Sequence, residues 1–411
     1  MAAWKFRLRA AARNLLLVSA SLTLTLGMGE LAARVLRRAT PGGKEDRATP
    51  QYMMKDPVLG WRKKPSATAA YRRREYSVEV RTNALGMRDP ERARTPPPGT
   101  LRLLALGDSF VEGYSVALES TLTQVLEGRL NLEAGCPVEV LNGGTAAWST
   151  DQEYLYYREE AWALGANVVM LFLYYNDILA NLQPDYWGQG KPVLEERDGR
   201  LEIAPRPTPK PGARAARDAR EEAGEADAPV PRASGRSALL DFVRERLLRG
   251  QPRLYQSLAR AGLWAPLAPE APKTEMRIYE ARLAPLLQVA WQRTLRIVEG
   301  LRDEAEARGA RLVVIYVPAA FEVDERAWQL TELAYGMSEP AWRRSALAER
   351  LVNAGRRRGF AVLDLTAALR EAEGGGATYF VLDHHWTPLG HQAAAGALAA
   401  YLREGGYVVC P

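Results

Sequence analysis

The sequence predicts an α/β protein whose core is a parallel sheet with helices on both faces. Short runs rich in Val, Leu and Ile recur along the chain, and helical stretches lie between them. Strands that alternate with helices form parallel sheets, and such strands are apolar throughout because both of their faces are buried. The chain has 411 residues, 47% hydrophobic and 25% charged, which is enough material for one large domain or two small ones.

The first 33 residues predict a membrane anchor. Residues 1–13 form a basic N-terminus, and residues 14–33 carry a single charge, Glu30, near their end. This stretch reaches the about 20 residues that a transmembrane helix needs. A cleaved signal peptide is the alternative, but no convincing small-x-small cleavage site follows. A short N-terminus inside and a body outside is the default orientation, although basic residues on the two flanks balance.

The distribution of charge argues against a nucleic-acid partner. Residues 1–50 hold nine basic and three acidic residues, which accounts for the whole net charge of +6. The remaining residues carry 46 charges of each sign. Because binding to a phosphate backbone requires a positive face on the folded domain, we predict no nucleic-acid binding.

The chain after the anchor divides into a polar lead-in at 34–100 and a domain at 101–411. The predicted strands are 101–106, 138–141, 167–173, 311–317 and 360–363. The predicted helices are 118–130, 150–164, 274–308, 341–357 and 389–403. An insertion at about 183–236 is predicted to be largely disordered, because its Pro- and Ala-rich part from 204 onward has one Val as its only large aliphatic residue. A small helical piece follows at 238–263.

A serine follows the first predicted strand of the domain. Gly107, Asp108 and Ser109 come directly after the apolar run 101–106. Sites in parallel sheets lie at the carboxyl ends of strands, and a small residue allows a sharp turn that leaves Ser109 at the strand tip. The alternative is that Ser109 only caps the helix that follows, which is the commoner use of serine there.

The three histidines of the chain all lie within eight residues, at 384, 385 and 391. A serine is a poor nucleophile until a base takes its proton, and histidine is the usual base near neutral pH. Asp383, two residues before His385, is of the right type to accept the other ring N–H. A metal site and a solvated loop are the alternatives. No more distant ligand is suggested, so we predict neither a metal nor a cofactor.

Two further strand ends offer donors for an oxyanion. Asn142, Gly143 and Gly144 follow the second strand, where missing side chains let backbone N–H groups approach a ligand. Asn176 follows the third strand and offers a side-chain amide. Turns and helix starts use the same residue types, so the prediction depends on all these residues falling at strand ends.

Four segments resemble the conserved blocks of the SGNH (GDSL-type) hydrolase superfamily, in the order of that family. These segments are GDSFVEGYSV, VLNGGTAAWSTDQ, FLYYNDI and LDHHWTPLGH. The lead-in motifs LGWRKKP and TNALGMRD resemble the segment that precedes the domain in membrane-anchored members.

The resemblance implies a flavodoxin-like three-layer α/β/α sandwich and assigns a role to each candidate residue. Ser109 is expected to be the nucleophile and to donate its own N–H to the oxyanion. Gly144 and Asn176 complete the expected oxyanion hole. His385 is the expected base, because it stands before W-T-P-x-G, and Asp383 its partner.

The chain departs from the commoner family pattern in two places. The aspartate usually lies three residues before the histidine, where this chain has Leu382, and Tyr174 replaces a common glycine. The shorter D-x-H spacing followed by Trp resembles the branch that includes the alginate O-acetyltransferases. The expected activity is a serine esterase acting on short acyl esters of envelope or secreted glycans. A polysaccharide O-acetyltransferase, with a multi-span partner as acyl donor, is the first alternative, and a non-catalytic glycan-binding or assembly protein the second.

Two other residue sets leave alternatives open. Cys136 precedes the second strand and Cys410 ends the last helix region, so they form either a disulfide at the sheet edge opposite the site or two buried thiols. A group of aromatic residues near the expected site can stack on sugar rings, although such residues more often pack in the core. This group is Trp148, Tyr174, Tyr175, Tyr186 and Trp187.

Overall fold

The computed structural model describes residues 2–39, 52–186, 189–204, 237–264 and 271–411. The chain divides into two units, which are described separately. One unit comprises Met1–Glu45 and Pro229–Ala268, and the other Asp46–Ala228 and Pro269–Pro411.

The described strands and helices are numbered in chain order. The strands are Met53–Asp56 (β1), Gly60–Lys63 (β2), Thr68–Arg72 (β3), Ser77–Arg81 (β4), Leu101–Leu106 (β5), Val138–Asn142 (β6), Val168–Leu173 (β7), Asp185–Tyr186 (β8), Gln189–Gly190 (β9), Leu194–Arg197 (β10), Arg200–Ile203 (β11), Arg311–Tyr316 (β12) and Ala361–Asp364 (β13). The helices are Ala2–Ala39 (α1), Ser109–Glu112 (α2), Leu122–Asn131 (α3), Thr150–Glu159 (α4), Tyr175–Ala180 (α5), Ala238–Gly250 (α6), Pro252–Arg260 (α7), Pro285–Ala307 (α8), Ala320–Val323 (α9), Glu325–Tyr335 (α10), Ala346–Arg358 (α11), Thr366–Ala372 (α12) and Pro388–Glu404 (α13).

Five parallel strands form the central sheet of the larger unit, in the order β13–β12–β7–β5–β6. Numbered along the chain, this is the order 2-1-3-4-5 that defines the flavodoxin-like fold. The predicted α/β sandwich is therefore confirmed. The direction of the connections reverses between β5 and β7, so the crevice at the carboxyl end of β5 is the topological switch point where ligands bind in such sheets.

Side chains of each strand alternate between two apolar cores, one on each face of the sheet. Leu104 and Leu106 of β5 face one core, which also contains apolar residues of α4, α8 and α11. Leu103 and Ala105 face the other, which contains residues of α3, α12 and α13. Helices therefore cover both faces, and this burial explains why the strands read as unbroken apolar runs.

The lead-in is part of the larger unit in the structure, because residues 52–100 pack against the loops that follow β5 and β6. Its strands form two antiparallel hairpins, β1–β2 and β3–β4. Two cations of the motifs LGWRKKP and TNALGMRD, Lys63 and Arg88, are 3% and 1% exposed. These motifs thus supply buried contacts rather than a spacer.

The structure differs from the sequence prediction in two segments. The predicted helix 274–308 is interrupted, because Pro285 begins α8 and a separate 3₁₀ turn covers Thr274–Tyr279. The insertion predicted at about 183–236 begins with two short hairpins, β8–β9 and β10–β11. Asp198 and Gly199 have φ of 49° and 75°, as the two-residue turn of a hairpin requires, and Asp-Gly is a sequence signal for such a turn. Residues 205–236 lie outside the described residues.

Cys136 and Cys410 form a disulfide with Cα atoms 5.9 Å apart. Cys136 precedes β6, at the amino end of an edge strand, so the bridge joins the C-terminus to the edge of the sheet opposite the site. The disulfide alternative is therefore the one that the structure contains.

The smaller unit contains the predicted anchor. Helix α1 includes a stretch, Arg13–Leu36, that is long and apolar enough to cross a membrane. The helical piece predicted at 238–263 consists of α6 and α7, which are separated at Pro252. Proline at the first position of α7 explains the break between the two helices.

Candidate active site

The turn after β5 places Ser109 at the start of a one-turn helix, α2. Gly107 is required there, because a Cβ atom would lie 2.4 Å from Val111 Cγ2. Asp108, rather than Ser109, is the N-cap, and its Oδ1 accepts a hydrogen bond of 2.9 Å from Phe110 N. The Ser109 hydroxyl is thus not used for capping.

Ser109, His385 and Asp383 form a continuous line of hydrogen bonds. The Ser109 Oγ and His385 Nε2 atoms are 2.7 Å apart. The His385 Nδ1 and Asp383 Oδ1 atoms are 2.6 Å apart. An imidazole that donates from Nδ1 to a carboxylate presents its Nε2 lone pair to a hydroxyl proton, so the order of contacts is that of a serine, its base and the group that orients the base.

The loop that carries Asp383 and His385 has a backbone outlier between them. His384 has φ of 61°, in the left-handed region that side chains other than glycine rarely adopt. The Asp383 backbone oxygen also lies 3.2 Å from His385 Nδ1, so this conformation folds the short D-x-H segment against its own imidazole. The left-handed conformation of His384 lets the Asp383 carboxylate reach the His385 ring although Asp383 lies two residues before His385 instead of three.

Residues of the lead-in hairpin β3–β4 hold the Asp383 loop, which the sequence did not indicate. The Tyr76 hydroxyl donates to Asp383 Oδ2 at 2.7 Å. The Glu75 carboxylate accepts hydrogen bonds from the backbone N–H groups of residues 381, 382 and 383, at 2.7, 2.9 and 2.9 Å. Both residues lie about 300 positions earlier in the chain, at separations of 306 to 308. No local sequence pattern could have revealed the contact.

The environment of Asp383 favours its ionised form. Burial opposes ionisation, but the charge and hydrogen bond of His385, together with the Tyr76 hydroxyl, outweigh it and hold the pKa of Asp383 below its ordinary value. The ring of His385 is enclosed by Phe110 and Tyr114, with centroids 4.9 and 5.0 Å away. The line of hydrogen bonds is therefore partly shielded from water.

Gly144 lies against α2 in the loop after β6. A Cβ atom at Gly144 would lie 2.5 Å from Glu112 N and 2.6 Å from Val111 Cβ. Its N–H donates to Asn142 Oδ1 at 3.2 Å, and its carbonyl accepts a hydrogen bond from Lys63 Nζ. Burial lowers the pKa of that lysine to about 8, with the charge of Glu112 opposing the shift. The lead-in therefore holds this loop in place as well.

Asn176 lies in the first turn of α5, after β7. Its Nδ2 donates to the Tyr186 hydroxyl at 3.0 Å. Its Oδ1 is buried and has no hydrogen-bond partner among the described residues. The amide is consequently only half satisfied as it stands.

The other two histidines are not part of this line of hydrogen bonds, and they do not form a metal site with it. His391 is buried, and its Nδ1 accepts a hydrogen bond of 3.1 Å from Leu122 N at the start of α3. Burial, with the charges of Arg88 and His385, lowers the pKa of His391 to about 3, so it stays neutral. Among the described residues, no group of three or more His, Cys, Asp or Glu is arranged to hold a metal.

The structure places the members of the predicted aromatic group in different environments. Trp148 is 2% exposed, and its Nε1 donates to the Trp61 carbonyl, so it belongs to the core. Tyr174 and Tyr175 are half-buried and pack on each other with centroids 4.6 Å apart. Tyr186 contacts Asn176 as described above, and Trp187 lies outside the described residues.

Buried carboxyl groups surround the turn that precedes Ser109. Burial raises the pKa of Asp108 to about 6, with hydrogen bonding to Phe110 and the charge of His385 opposing the shift. Burial and neighbouring carboxylates raise the pKa of Glu153 and of Asp177 well above their ordinary values. Burial thus disfavours the ionised form of both Glu153 and Asp177 behind the site.

The fold and this site define a class: a flavodoxin-like sheet with a serine, a histidine and an aspartate at its switch point is the arrangement of the SGNH hydrolases. Residues 279–408 match the family model described as the SGNH hydrolase-like domain of the acetyltransferase AlgX. This region contains Asp383 and His385 but not Ser109. Within the matched region the chain is similar to the SGNH superfamily, in the branch of the alginate O-acetyltransferases.

Curated relatives match a limited part of the chain. A probable alginate O-acetylase AlgJ from Pseudomonas aeruginosa is 32% identical over 108 residues, which cover 26% of each chain. The AlgJ protein of Pseudomonas syringae pv. tomato is 30% identical over 110 residues, 27% of this chain and 26% of that one. The match thus spans about a quarter of the length of these relatives.

Solved structures with a similar fold are more distant in sequence. A putative lipolytic protein of the G-D-S-L family from Desulfitobacterium hafniense is 12% identical, with 73% of this chain and 98% of that chain covered and a TM-score of 0.34. A catalytic mutant of Axe2, an acetylxylan esterase from Geobacillus stearothermophilus, is 11% identical, with 75% and 96% covered and a TM-score of 0.37.

Proposed function

We propose that this chain transfers short acyl groups from esters through an acyl-serine at Ser109. The observation that carries the proposal is the line Ser109 Oγ to His385 Nε2 to Asp383 Oδ1, with distances of 2.7 and 2.6 Å. The Ser109 hydroxyl is not needed as a cap, because Asp108 already caps the helix. The primary proposal is a serine esterase.

The proposed reaction has two steps. His385 Nε2 takes the Ser109 proton as Oγ attacks the ester carbonyl, and the same proton then passes to the departing alkoxide, which leaves an acyl-serine and an alcohol. In the second step His385 takes a proton from the acceptor hydroxyl as its oxygen attacks the acyl carbonyl. The bond from the acyl carbon to Ser109 Oγ then breaks, and His385 returns the proton to Oγ. Asp383 keeps the Nδ1 proton in place and stabilises the imidazolium that forms in each step.

Three donors are proposed for the oxyanion. The Ser109 N–H belongs to the first turn of α2, whose amides have no acceptor within the helix. The Gly144 N–H lies in the loop that packs on α2. It must break its hydrogen bond to Asn142 Oδ1 before it can donate to the oxyanion. For Asn176, a rotation of the amide by 180° lets the Tyr186 hydroxyl donate to Oδ1 and places Nδ2 at the position where Oδ1 now lacks a partner.

The identity of the acceptor separates the primary proposal from the second candidate. If water is the acceptor, the chain is an esterase, and if a glycan hydroxyl is the acceptor, it is an O-acetyltransferase. Similarity to the AlgX domain and to probable alginate O-acetylases favours transfer of acetyl groups on polysaccharides. A transferase of this kind requires an acyl donor, for which a multi-span membrane partner is proposed. The non-catalytic binding protein is not favoured, because the residues of the line are all present.

We propose an extracytoplasmic location for the hydrolase unit. Helix α1 is a candidate anchor, with its basic residues ahead of the apolar stretch Arg13–Leu36. The Cys136–Cys410 disulfide supports this location, because such bonds persist in oxidising compartments such as the periplasm. Envelope or secreted glycans are accessible from that side.

The test uses the full chain in detergent with p-nitrophenyl acetate, with and without an oligosaccharide acceptor. Ser109→Ala is compared with wild type and with Ser120→Ala, a serine in the nearby 3₁₀ turn that makes no part of the line. Acetate release to water that disappears only in Ser109→Ala supports the esterase. Serine-dependent acetylation of the oligosaccharide with little hydrolysis supports the transferase. Equal turnover by wild type and Ser109→Ala under both conditions would refute the proposal.

A further inference from the structure

Glu30 lies within the apolar stretch of α1, yet its carboxylate is fully engaged by α6. Its oxygens accept hydrogen bonds from Ser237 Oγ at 2.8 Å, Ala238 N at 3.0 Å and Leu239 N at 2.9 Å. Arg34 Nε, one turn later, donates to Glu30 Oε1 at 2.7 Å. A carboxylate in a membrane-spanning stretch is costly unless it is paired, and a helix N-terminus is a favourable partner.

Small residues beside Glu30 form the surface on which α6 packs. A Cβ atom at Gly29 would lie 3.1 Å from Leu239 Cδ2. Ala33, four residues later, is 6% exposed, whereas the large apolar side chains of the stretch are 53% to 70% exposed. Two small residues four positions apart are the packing pattern of helices within membranes, because they let the backbones approach closely.

Helix α6 is amphipathic and too short to cross a membrane. Its 13 residues span about 20 Å, against about 30 Å for a hydrocarbon core. Leu240 and Val243 are 40% and 46% exposed and share one face, while Asp241 and Glu245 lie on another. Such a helix with a charged face lies along a membrane surface with its apolar face in the lipid.

The exposed apolar residues continue beyond that face. Phe242, Leu254 and Leu263 are 45%, 47% and 61% exposed. Exposed arginines occur in the same pair of helices, at positions 246, 253 and 260. Basic residues beside an apolar face add attraction to anionic phospholipids.

We propose that α6 and α7 lie in the lipid–water interface of the membrane that α1 spans, held to α1 by Glu30, Gly29 and Ala33. The occupant of the exposed apolar face is thus a phospholipid leaflet. The contact also requires that this part of α1 remain on the mature chain, since cleavage after Glu30 would remove the partner of α6. This inference is independent of the acyl-transfer proposal.

The test places a fluorescent NBD label on the full chain in nanodiscs of phosphatidylethanolamine and phosphatidylglycerol. The native cysteines are both in the disulfide, so Val243→Cys, Leu254→Cys and Glu245→Cys each introduce the single reactive thiol. We expect blue-shifted emission and quenching by brominated lipids at 243 and 254. The matched control, Glu245→Cys on the charged face, is expected to be quenched by aqueous iodide instead.

Two outcomes would overturn the proposal. Iodide quenching at 243 and 254 equal to that at 245 would place the helices in water. Protection at 243 and 254 from both quenchers would place them against protein. Glu30→Gln in the Val243→Cys chain tests whether the Glu30 contact holds α6. Helix α1 still anchors this variant, and we expect the quenching by brominated lipids at 243 to fall. An unchanged signal would show that Glu30 does not hold α6.

Discussion

Asp383 uses both of its carboxylate oxygens, one for His385 and the other for Tyr76. A carboxylate held at two points cannot rotate away from the imidazole. Tyr76 is therefore a positioning residue that acts through Asp383, and it comes from the lead-in rather than from the family blocks. The Glu75 carboxylate, from the same hairpin turn, holds the backbone of that loop.

We predict that Tyr76→Phe lowers kcat about tenfold with little change in KM, because one hydrogen bond to a charged group is lost. Loss of the hydroxyl also raises the pKa of Asp383, so the acid limb of the pH profile moves toward neutral pH. Steady-state rates from pH 4 to 8 with p-nitrophenyl acetate measure both effects. Tyr71→Phe is the control, since its hydroxyl contacts Tyr52 and not the line. Identical pH profiles for Tyr76→Phe and wild type would contradict the assigned role.

A second residue-scale prediction concerns Asn176. We expect Asn176→Ala to lower kcat by about 10² to 10³, the usual effect of removing one oxyanion donor. We expect Tyr186→Phe to have a smaller effect in the same direction, because the hydroxyl is the partner that orients the amide. Single-turnover acylation rates separate this effect from deacylation. Wild-type acylation in Asn176→Ala would exclude it from the oxyanion hole.

At the scale of elements, the site is assembled where three loops meet lead-in residues. Lys63 holds the Gly144 carbonyl, and Arg88 donates to the carbonyls of Glu112 and Val116 beyond α2. The hairpin β3–β4 holds the Asp383 loop. A loop whose backbone is buried requires such hydrogen-bond partners, because buried carbonyls and amides are costly when they are unpaired.

We predict that Gly144→Ala lowers both activity and stability. Its methyl group would meet the backbone of Glu112 and the Val111 side chain, so the loop must move away from α2. The expected cost is about 1–3 kcal/mol of unfolding free energy, as for overpacked cores. Gly128→Ala in α3 is the matched control, because a Cβ there meets nothing within 4 Å. Urea unfolding and kcat of the two variants measure the difference, and equal behaviour would show that the close approach of Gly144 is unimportant.

At the scale of the whole molecule, several carboxyl groups are buried with raised pKa values. Burial raises the pKa of Asp89 to about 7 and that of Glu322 to about 8, in each case against hydrogen bonds or charges that oppose the shift. The folded chain therefore keeps protons that the unfolded chain loses above about pH 4. Stability consequently falls as pH rises from about 4.5 toward 8, until these groups ionise in the folded state as well.

Glu322→Gln tests this pH dependence. Glu322 lies between the Tyr279 and Tyr316 hydroxyls, and a neutral amide oxygen retains an acceptor for them. Each buried group of this kind contributes a slope of about 1.4 kcal/mol per pH unit. We expect the variant to lose less unfolding free energy than wild type between pH 5 and 8, measured by urea titration at each pH. Parallel curves for the two proteins would contradict the raised pKa.

The disulfide is the second feature at this scale. It joins residues 274 positions apart, so the chain between them is constrained in the unfolded state. We predict that Cys410→Ser lowers the unfolding free energy by about 2–5 kcal/mol and leaves kcat unchanged, because the bridge lies at the sheet edge opposite the site. Thermal unfolding with and without reductant measures this loss of stability. Reduced wild type should match the variant, and a reductant effect on the variant itself would point to another cause.

The sequence by itself determined the sheet, most of the helices that cover it and the residues proposed for the line. The runs at 101–106 and 311–317 coincide with β5 and β12 to within a residue, because a strand buried on both faces must be apolar throughout. The switch point and the histidine count restricted the candidates, and the resemblance to the SGNH blocks assigned Ser109, Asp383 and His385 among them. The structure brings these three side chains together.

Only the tertiary structure decided what holds that line in place. The Asp383 loop is held by Glu75 and Tyr76, which lie about 300 residues away in the chain. The other site loops are held by Lys63 and Arg88. Helix α2 is capped by Asp108 rather than by Ser109. None of these contacts has a local pattern, because a carboxylate or hydroxyl can satisfy any backbone group that folding brings near it. Apolar periodicity is a property of neighbouring residues and can be read along the chain, whereas hydrogen-bond partners are chosen by the fold.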